Sequence, residues 1–380
     1  MPKGASRWLF LLLAAASPLL LLYSAEARAY GLLALLSFAL FLLTARAGTD
    51  TRHAVAIAVL TAAALYTHSL AIFTVGALLF LALAAGRRRQ AAALLAGGAL
   101  FLPWVPILLS QPGVALSWSQ ERPGPSLAGF LSALGGAGRV PAPFGPPLPP
   151  PVPALGIALA LLLLALLVPR CRRDAILRGA VLFVLLVLSA ILLASLWRPL
   201  AFAGRSEMTV LPVWLWALAR AGEESRPVRW AGLAAVFLGA AASASLLMTP
   251  RPVPAPLAAT ERLAGIAREG DSVLAGAGFY LPARLASERG RLRAAVRAFP
   301  AAIAEHPGWF APVAPREEDY AAVANALERA APGSRVFLLL PSSYRTGRLE
   351  GLLAAKGTVR EAVRSPEGVL LVWSPLRAER

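Results

Sequence analysis

Apolar residues come in long unbroken blocks through the first two-thirds of the chain and in short periodic runs through the last third. A helix crosses a bilayer with about 20 apolar residues, within a range near 17–25. The blocks 7–23, 30–46, 53–67, 69–86, 90–109, 153–169, 175–197, 206–221 and 229–248 therefore predict about nine membrane-spanning helices. The third and fourth belong to one apolar run, Ala54 to Gly86, too long for one span. Tyr66-Thr67-His68-Ser69 interrupts it, which predicts two short spans and a tight turn. Lys3 and Arg7 before the first block imitate a secretory leader, but no small-x-small cleavage site follows, so a retained helix is expected.

After residue 257 the pattern changes. Residues 258–380 read as a small α/β domain: helix over Ala259–Arg268, strand over Asp271–Ala275, helix over Glu317–Ala331 stopped by Pro332-Gly333. A buried strand over Arg335–Leu340 and a helix over Thr346–Ala355 follow, then a hairpin of Val359–Arg364 and Val369–Trp373 around Pro366-Glu367-Gly368. Gly276-Ala277-Gly278 lacks the third glycine of a dinucleotide fingerprint and reads as a flexible loop. The expected fold class is thus a polytopic α-helical membrane domain, 1–257, followed by a small α/β domain, 258–380.

Charge supports the division. The chain is 58% hydrophobic and 15% charged, against about 25% charged in a soluble protein. Up to Ala259 there are 20 basic and 7 acidic residues, and beyond it 17 and 13, so 13 of the 17 units of net positive charge lie in the apolar part. Basic residues at membrane edges follow the positive-inside bias. With nine alternating spans, 14 bases, among them Lys3, Arg46, Arg87, Arg170 and Arg226, fall on one side and 6 on the other. That places the N-terminus in the cytoplasm and the C-terminal domain outside it. No nucleic-acid motif accompanies the charge, so nucleic acid is not an expected partner. The single cysteine, Cys171, sits in a basic loop and reads as an idle thiol. Abundant Leu, Ala, Arg, Pro and Gly with almost no Lys suit a high-GC bacterium, hence the bacterial plasma (inner) membrane.

On the predicted external side the membrane part offers three acids, Glu26, Glu121 and Glu207, with His68 and six arginines. Charge at a membrane edge is expensive and asks for a reason. The densest group is Tyr23-Ser24-Ala25-Glu26-Ala27-Arg28-Ala29-Tyr30, readable as an aromatic belt with one local Glu–Arg pair or as a site. The Pro- and Gly-rich loop 110–152, with Trp118 and the stiff Pro146-Pro147-Leu148-Pro149-Pro150-Pro151 run, reads as a spacer or as an interfacial segment lining a groove.

Ser17-Pro18, then Leu22-Tyr23-Ser24-Ala25-Glu26-Ala27-Arg28-Ala29-Tyr30-Gly31-Leu32, resembles a segment of the bacterial GT-C glycosyltransferases, the class similar to dolichyl-phosphate-mannose:protein mannosyltransferases and aminoarabinose transferases. Leu65-Tyr66-Thr67-His68 resembles a further motif of that class, with looser matches at Phe101-Leu102-Pro103-Trp104 and from Arg205 to Pro212. The resemblance covers most of residues 8–250. It implies a glycosyltransferase of the cell envelope that moves a sugar from a polyprenyl-phosphate carrier to a lipid, glycan or protein acceptor outside the cytoplasm. It further implies that Arg28 and Arg205 face the leaving phosphate, that Tyr30, Tyr66 and His68 line the site, and that Glu26 shapes it, with Glu26 or Glu207 as base. No metal or other cofactor is indicated, because no external His/Asp/Glu group has ligand spacing.

One departure stands against this. Members of the class carry an Asp-Glu pair in an external loop after their first span, and nothing here matches it. The chain reads as starting at the family's third span, which leaves a misassigned start, a fragment, or a divergent protein. The alternative is a non-catalytic membrane protein that binds lipid-linked sugar or displays its C-terminal domain. A transporter is disfavoured, since mid-span positions are apolar and no internal repeat is visible.

Overall fold

The computed structural model describes residues 5–26, 29–46, 48, 50–110, 123–138, 148–197, 200–248, 255–304, 315–328, 334–341, 347–364 and 368–375. Arg28, Trp118, Glu121, Pro146-Pro147 and the Pro366 turn lie outside them. The described residues form two compact units, one ending at Met248 and one beginning at Ala255.

The first unit is helical: α1 Ala5–Ala16, α2 Pro18–Ala25, α3 Tyr30–Ala45, α4 Thr51–Thr67, α5 Ala71–Ala84, α6 Arg88–Ala99, α7 Val105–Ser110, α8 Pro123–Leu134, α9 Pro151–Cys171, α10 Ala175–Ala194, α11 Leu211–Glu224 and α12 Arg226–Met248. Each apolar block of the sequence contains helix, but the lengths differ. Four paths are long and apolar enough to cross a membrane: Arg88–Leu109, α9, α10 and α12. The bent pair α1 and α2 makes a fifth if it counts as one span. By contrast, α5 and α11 have 14 residues each. At 1.5 Å per residue such a helix rises about 21 Å, short of a hydrocarbon core about 30 Å thick.

Block 7–23 is not one helix. It breaks by 63° between Ala16 and Pro18. Ser17 is the N-cap of α2, its side chain accepting from the Leu20 N–H, and Pro18 takes the first helical position, where a missing N–H does no harm. The Ala16 carbonyl at the break accepts from Ser243 Oγ of α12 at 2.9 Å. Block 206–221 also divides, into a 3-10 turn Ser206–Thr209 and α11. Every residue from Leu211 to Ala219 is buried, so α11 is a central strut packed by α1, α3, α10 and α12.

The spacer reading of loop 110–152 fails for residues 123–138. These form α8 and a tight turn docked on α9 and α12. A Cβ on Gly135 would lie 1.8 Å from the Gly156 carbonyl oxygen, and Gly136, at φ +97°, would meet the Ala235 oxygen at 2.5 Å. Only glycine permits backbones this close. The buried Trp214 indole donates to the Leu134 carbonyl at 2.7 Å, completing the end of α8.

Helix directions sort the ends of this unit. Arg87 Nη1 donates to the Thr44 and Ala45 carbonyls, Arg229 to those of Gly222 and Glu223, and Arg220 pairs with Asp174, the N-cap of α10. Ser6 bonds Glu223 there too. All these groups gather at one end, where arginines satisfy the last carbonyls of helices.

The second unit is α/β: α13 Ala255–Ile266, β1 Ser272–Ala275, α14 Ala277–Glu288, β2 Ala295–Ala298, α15 Glu317–Glu328, β3 Val336–Pro341, α16 Gly347–Lys356, β4 Gly357–Arg364 and β5 Gly368–Pro375. The sheet order is β2-β1-β3-β5-β4, with β1, β2 and β3 parallel and β5 antiparallel to both β3 and β4. The expected helices, central strand and hairpin are present. Gly276 corrects the flexible-loop reading: it is the N-cap of α14. Strand β2, rich in arginine around it, is a charged edge that the apolar pattern does not announce.

Candidate functional site

At the end of the helical unit opposite the arginine caps, α2 closes and α3 opens. Tyr23, 2% exposed, sits in the last turn of α2, and Glu26 leaves that helix in an extended conformation. Gly31 lets the start of α3 pass close to the Tyr23 carbonyl, where a Cβ would stand at 3.1 Å. The Tyr23 and Tyr30 rings meet at 4.9 Å between centroids, and Tyr30 meets the His68 ring at 4.9 Å.

His68 reaches Tyr30 because α4 ends before it. Its backbone is extended (φ −161°), its N–H donates to the Ala64 carbonyl, and its Nδ1 accepts from the Leu70 N–H at 3.1 Å. With Nδ1 accepting, the neutral imidazole carries its proton on Nε2.

The segment between α10 and α11 brings Arg205 to the same place. It is irregular but fully bonded. Ser195 Oγ accepts from the Leu200 and Ala201 N–H groups and donates to the Ile191 carbonyl. Ser206 Oγ accepts from the Phe202 N–H. Gly204, at φ +90°, gives its N–H to both carboxylate oxygens of Glu207, at 2.8 and 2.9 Å. Helix α8 supports the outside of the turn, with Ser126 Oγ on the Ala201 carbonyl and Gly129 against Ala203. The result is a 5%-exposed Arg205 whose guanidinium carbon lies 5.9 Å from the centroids of both Tyr30 and Phe202. That is cation–π distance. Its charge also acts on the Tyr23 hydroxyl and on His68, and Glu26 acts on Tyr23. The Tyr23 hydroxyl is buried and meets no group at full hydrogen-bond geometry among the described residues.

Of the residues singled out in the sequence, Tyr30, His68 and Arg205 come together, with Glu26 beside Tyr23. Glu207 is completely buried, and its carboxylate holds the Gly204 turn, a bracing position rather than an open one. Tyr66 goes elsewhere. It is 52% exposed, donates to the Leu100 carbonyl at 3.0 Å, and packs its ring edge-on against Phe101 and Trp104. Tyr23 and Phe202 are the members that sequence reasoning did not assign. Tyr23 had a signal, since it lies in the same aromatic run. Among the described residues no three His, Cys, Asp or Glu side chains are placed to hold a metal ion.

A buried arginine ringed by aromatic groups at one end of an apolar bundle can pair with a phosphate, while Tyr23, Tyr30 and His68 offer polar edges to a hydroxylated ligand. No protein-family model, no curated protein and no solved structure matches the chain.

Proposed function

We propose that the protein is a membrane glycosyltransferase that moves a sugar from a polyprenyl-phosphate carrier to a lipid, glycan or protein acceptor outside the cytoplasm. In this reading all nine apolar blocks lie in the bacterial plasma membrane, with the shorter helices shielded by the longer ones. The arginine-capped end faces the cytoplasm, and the Arg205 end and the C-terminal unit face out. The convergence of Tyr23, Tyr30, His68 and Arg205, from four separated stretches of sequence, is the observation that carries the proposal.

The chemistry is a displacement at the anomeric carbon. An acceptor hydroxyl oxygen forms the new bond while the bond from that carbon to the phosphate oxygen breaks. The hydroxyl proton passes to a carboxylate, for which Glu26 is the nearer acid, and the polyprenyl phosphate leaves with its charge matched by Arg205. Tyr30 and His68 line the sugar. Arg28, assigned by resemblance to the same phosphate, lies outside the described residues. Glu207 supports the turn that presents Arg205.

The test is release of polyprenyl phosphate from radiolabelled polyprenyl-phosphate hexoses and pentoses by the full chain in proteoliposomes. Arg205→Ala should lower transfer at least about 100-fold, the scale of removing one group that stabilises developing charge. Tyr66→Phe should leave it unchanged. Equal rates for wild type and Arg205→Ala would overturn the assignment. The commitment of Glu207 to the Gly204 backbone favours a second reading, a protein that binds the lipid-linked sugar without transferring it. Saturable binding that needs Arg205, with no release of polyprenyl phosphate, would select that reading.

A further inference from the structure

At the arginine-capped end, α3, α5 and α10 leave a groove of about 280 Å³ between them. Phe41, Leu78, Leu81 and Leu182 make its walls apolar, and Arg87 and Arg178 stand on its lining. No acidic side chain lines it. We propose that this groove binds an anionic phospholipid, with the phosphate between Arg87 and Arg178 and an acyl chain along the apolar walls.

Three observations meet there. Arg87 uses Nη1 for the Thr44 and Ala45 carbonyls. Those bonds fix the guanidinium plane, and among the described residues Nε and Nη2 donate to nothing, so a pre-oriented edge of the fork remains for phosphate oxygens. Thr44, on the same lining, is 4% exposed, and its hydroxyl is buried without a hydrogen-bond partner among the described residues. A buried hydroxyl in that state calls for an acceptor or donor from outside the chain. Gly179 lines the groove from α10, and a Cβ there would meet nothing within 4 Å. The space beside it is therefore open, in a helix that elsewhere packs with large apolar residues.

Charge complementarity selects the headgroup, and the apolar walls select a lipid over a free anion. Basic pockets between membrane helices at the positively charged end attract anionic headgroups, at about 1 kcal/mol per arginine, or about fivefold in affinity. The neighbouring cleft between Arg170, Arg173, Asp174 and Arg220 also carries Glu223 and Glu224, so its charges already balance.

Native mass spectrometry of the full chain in detergent tests the proposal, with phosphatidylglycerol and phosphatidylcholine of identical acyl chains added in equal amounts. Phosphatidylglycerol should be retained at least about fivefold better. Arg178→Ala should bring that ratio most of the way to one. Gly179→Leu keeps both arginines but fills the groove, and should lower phosphatidylglycerol retention several-fold. Both sites tolerate the change, since Arg178 is exposed and Gly179 has room. Arg172→Ala, an equal charge loss at the same end but off the groove, should leave the ratio as in wild type. Millimolar inorganic phosphate should not displace the lipid. Equal retention of the two lipids, an equal effect of Arg172→Ala and Arg178→Ala, or displacement by inorganic phosphate would each overturn it.

Discussion

Each unit buries an acid close to an arginine, and the two arrangements differ in what the arginine faces. In the C-terminal unit Asp271 accepts from the Arg335 N–H, from Arg335 Nη2 and from the Arg268 N–H, all at 2.8 Å. Acid and base close on each other and tie the start of β1 to β3. In the helical unit Glu207 grips the backbone at Gly204, while Arg205 turns its guanidinium to the Tyr30 and Phe202 rings. The first geometry consumes the positive charge internally and acts as a brace. The second holds a cation among groups with only partial negative character, which keeps its attraction for an anion.

The comparison breaks most readily at Arg335. Arg335→Ala leaves the Asp271 carboxylate buried and stripped of its cation, and should destabilise the C-terminal unit by about 3 kcal/mol. Hydrogen exchange across β1 and β3 in the full chain should then accelerate by about two orders of magnitude. Protection unchanged from wild type would show that the pair is not a brace. Gly204→Ala attacks the other arrangement. A side chain at φ +90° is strained, and losing the turn should weaken local protection around 200–210 by about 2 kcal/mol. Sugar transfer should fall with it if Arg205 is presented by that turn.

Asp271→Asn sharpens the contrast through pH. Burial works to raise the Asp271 carboxyl, but the Arg268 N–H, the Arg335 guanidinium and the Arg335 N–H outweigh it and hold it below the usual carboxylate range. A depressed carboxylate contributes stability that is complete above its ordinary value of about 3.9 and is lost as pH falls through the folded value. Wild type should therefore lose protection in β1 and β3 as pH drops below about 4, and the variant, weaker by about 1–2 kcal/mol at neutral pH, should show a flatter acid profile. Identical profiles would remove Asp271 from the account. The smallest effect belongs to Tyr66→Phe. Loss of one exposed bond to the Leu100 carbonyl should lower the thermal midpoint of the helical unit by no more than about 1 kcal/mol equivalent.

Much of this architecture can be read from residues alone, and the failures have physical causes. Apolar blocks predict helices because lipid and core both reward them, but they do not tell a membrane-crossing helix from a buried strut such as α11, since both are apolar all round. Helix α8 hides in a Pro- and Gly-rich stretch because its glycines serve close packing rather than flexibility. The break before α2 was visible as Ser17-Pro18, an N-cap followed by a first-turn proline, yet hydropathy runs straight through it. Tyr66 and His68 are two residues apart, so a helix ending between them sends them to different neighbours. The meeting of His68 with Arg205, 137 positions later, leaves no trace in periodicity. Only likeness to a family placed them in one site.

The 63° bend at Ser17 has a consequence for depth. Continued straight, α2 would advance about 12 Å along the axis of α1, whereas tilted by that angle it advances only about 5 Å. Tyr23 and Glu26 are thus carried sideways and stop some two helical turns' worth of travel short of where an unbent rod would deliver about the same residues less one turn. A molecule approaching them along the bilayer plane meets them earlier than one descending from the water, so the bend favours entry of a greasy-tailed ligand from the side.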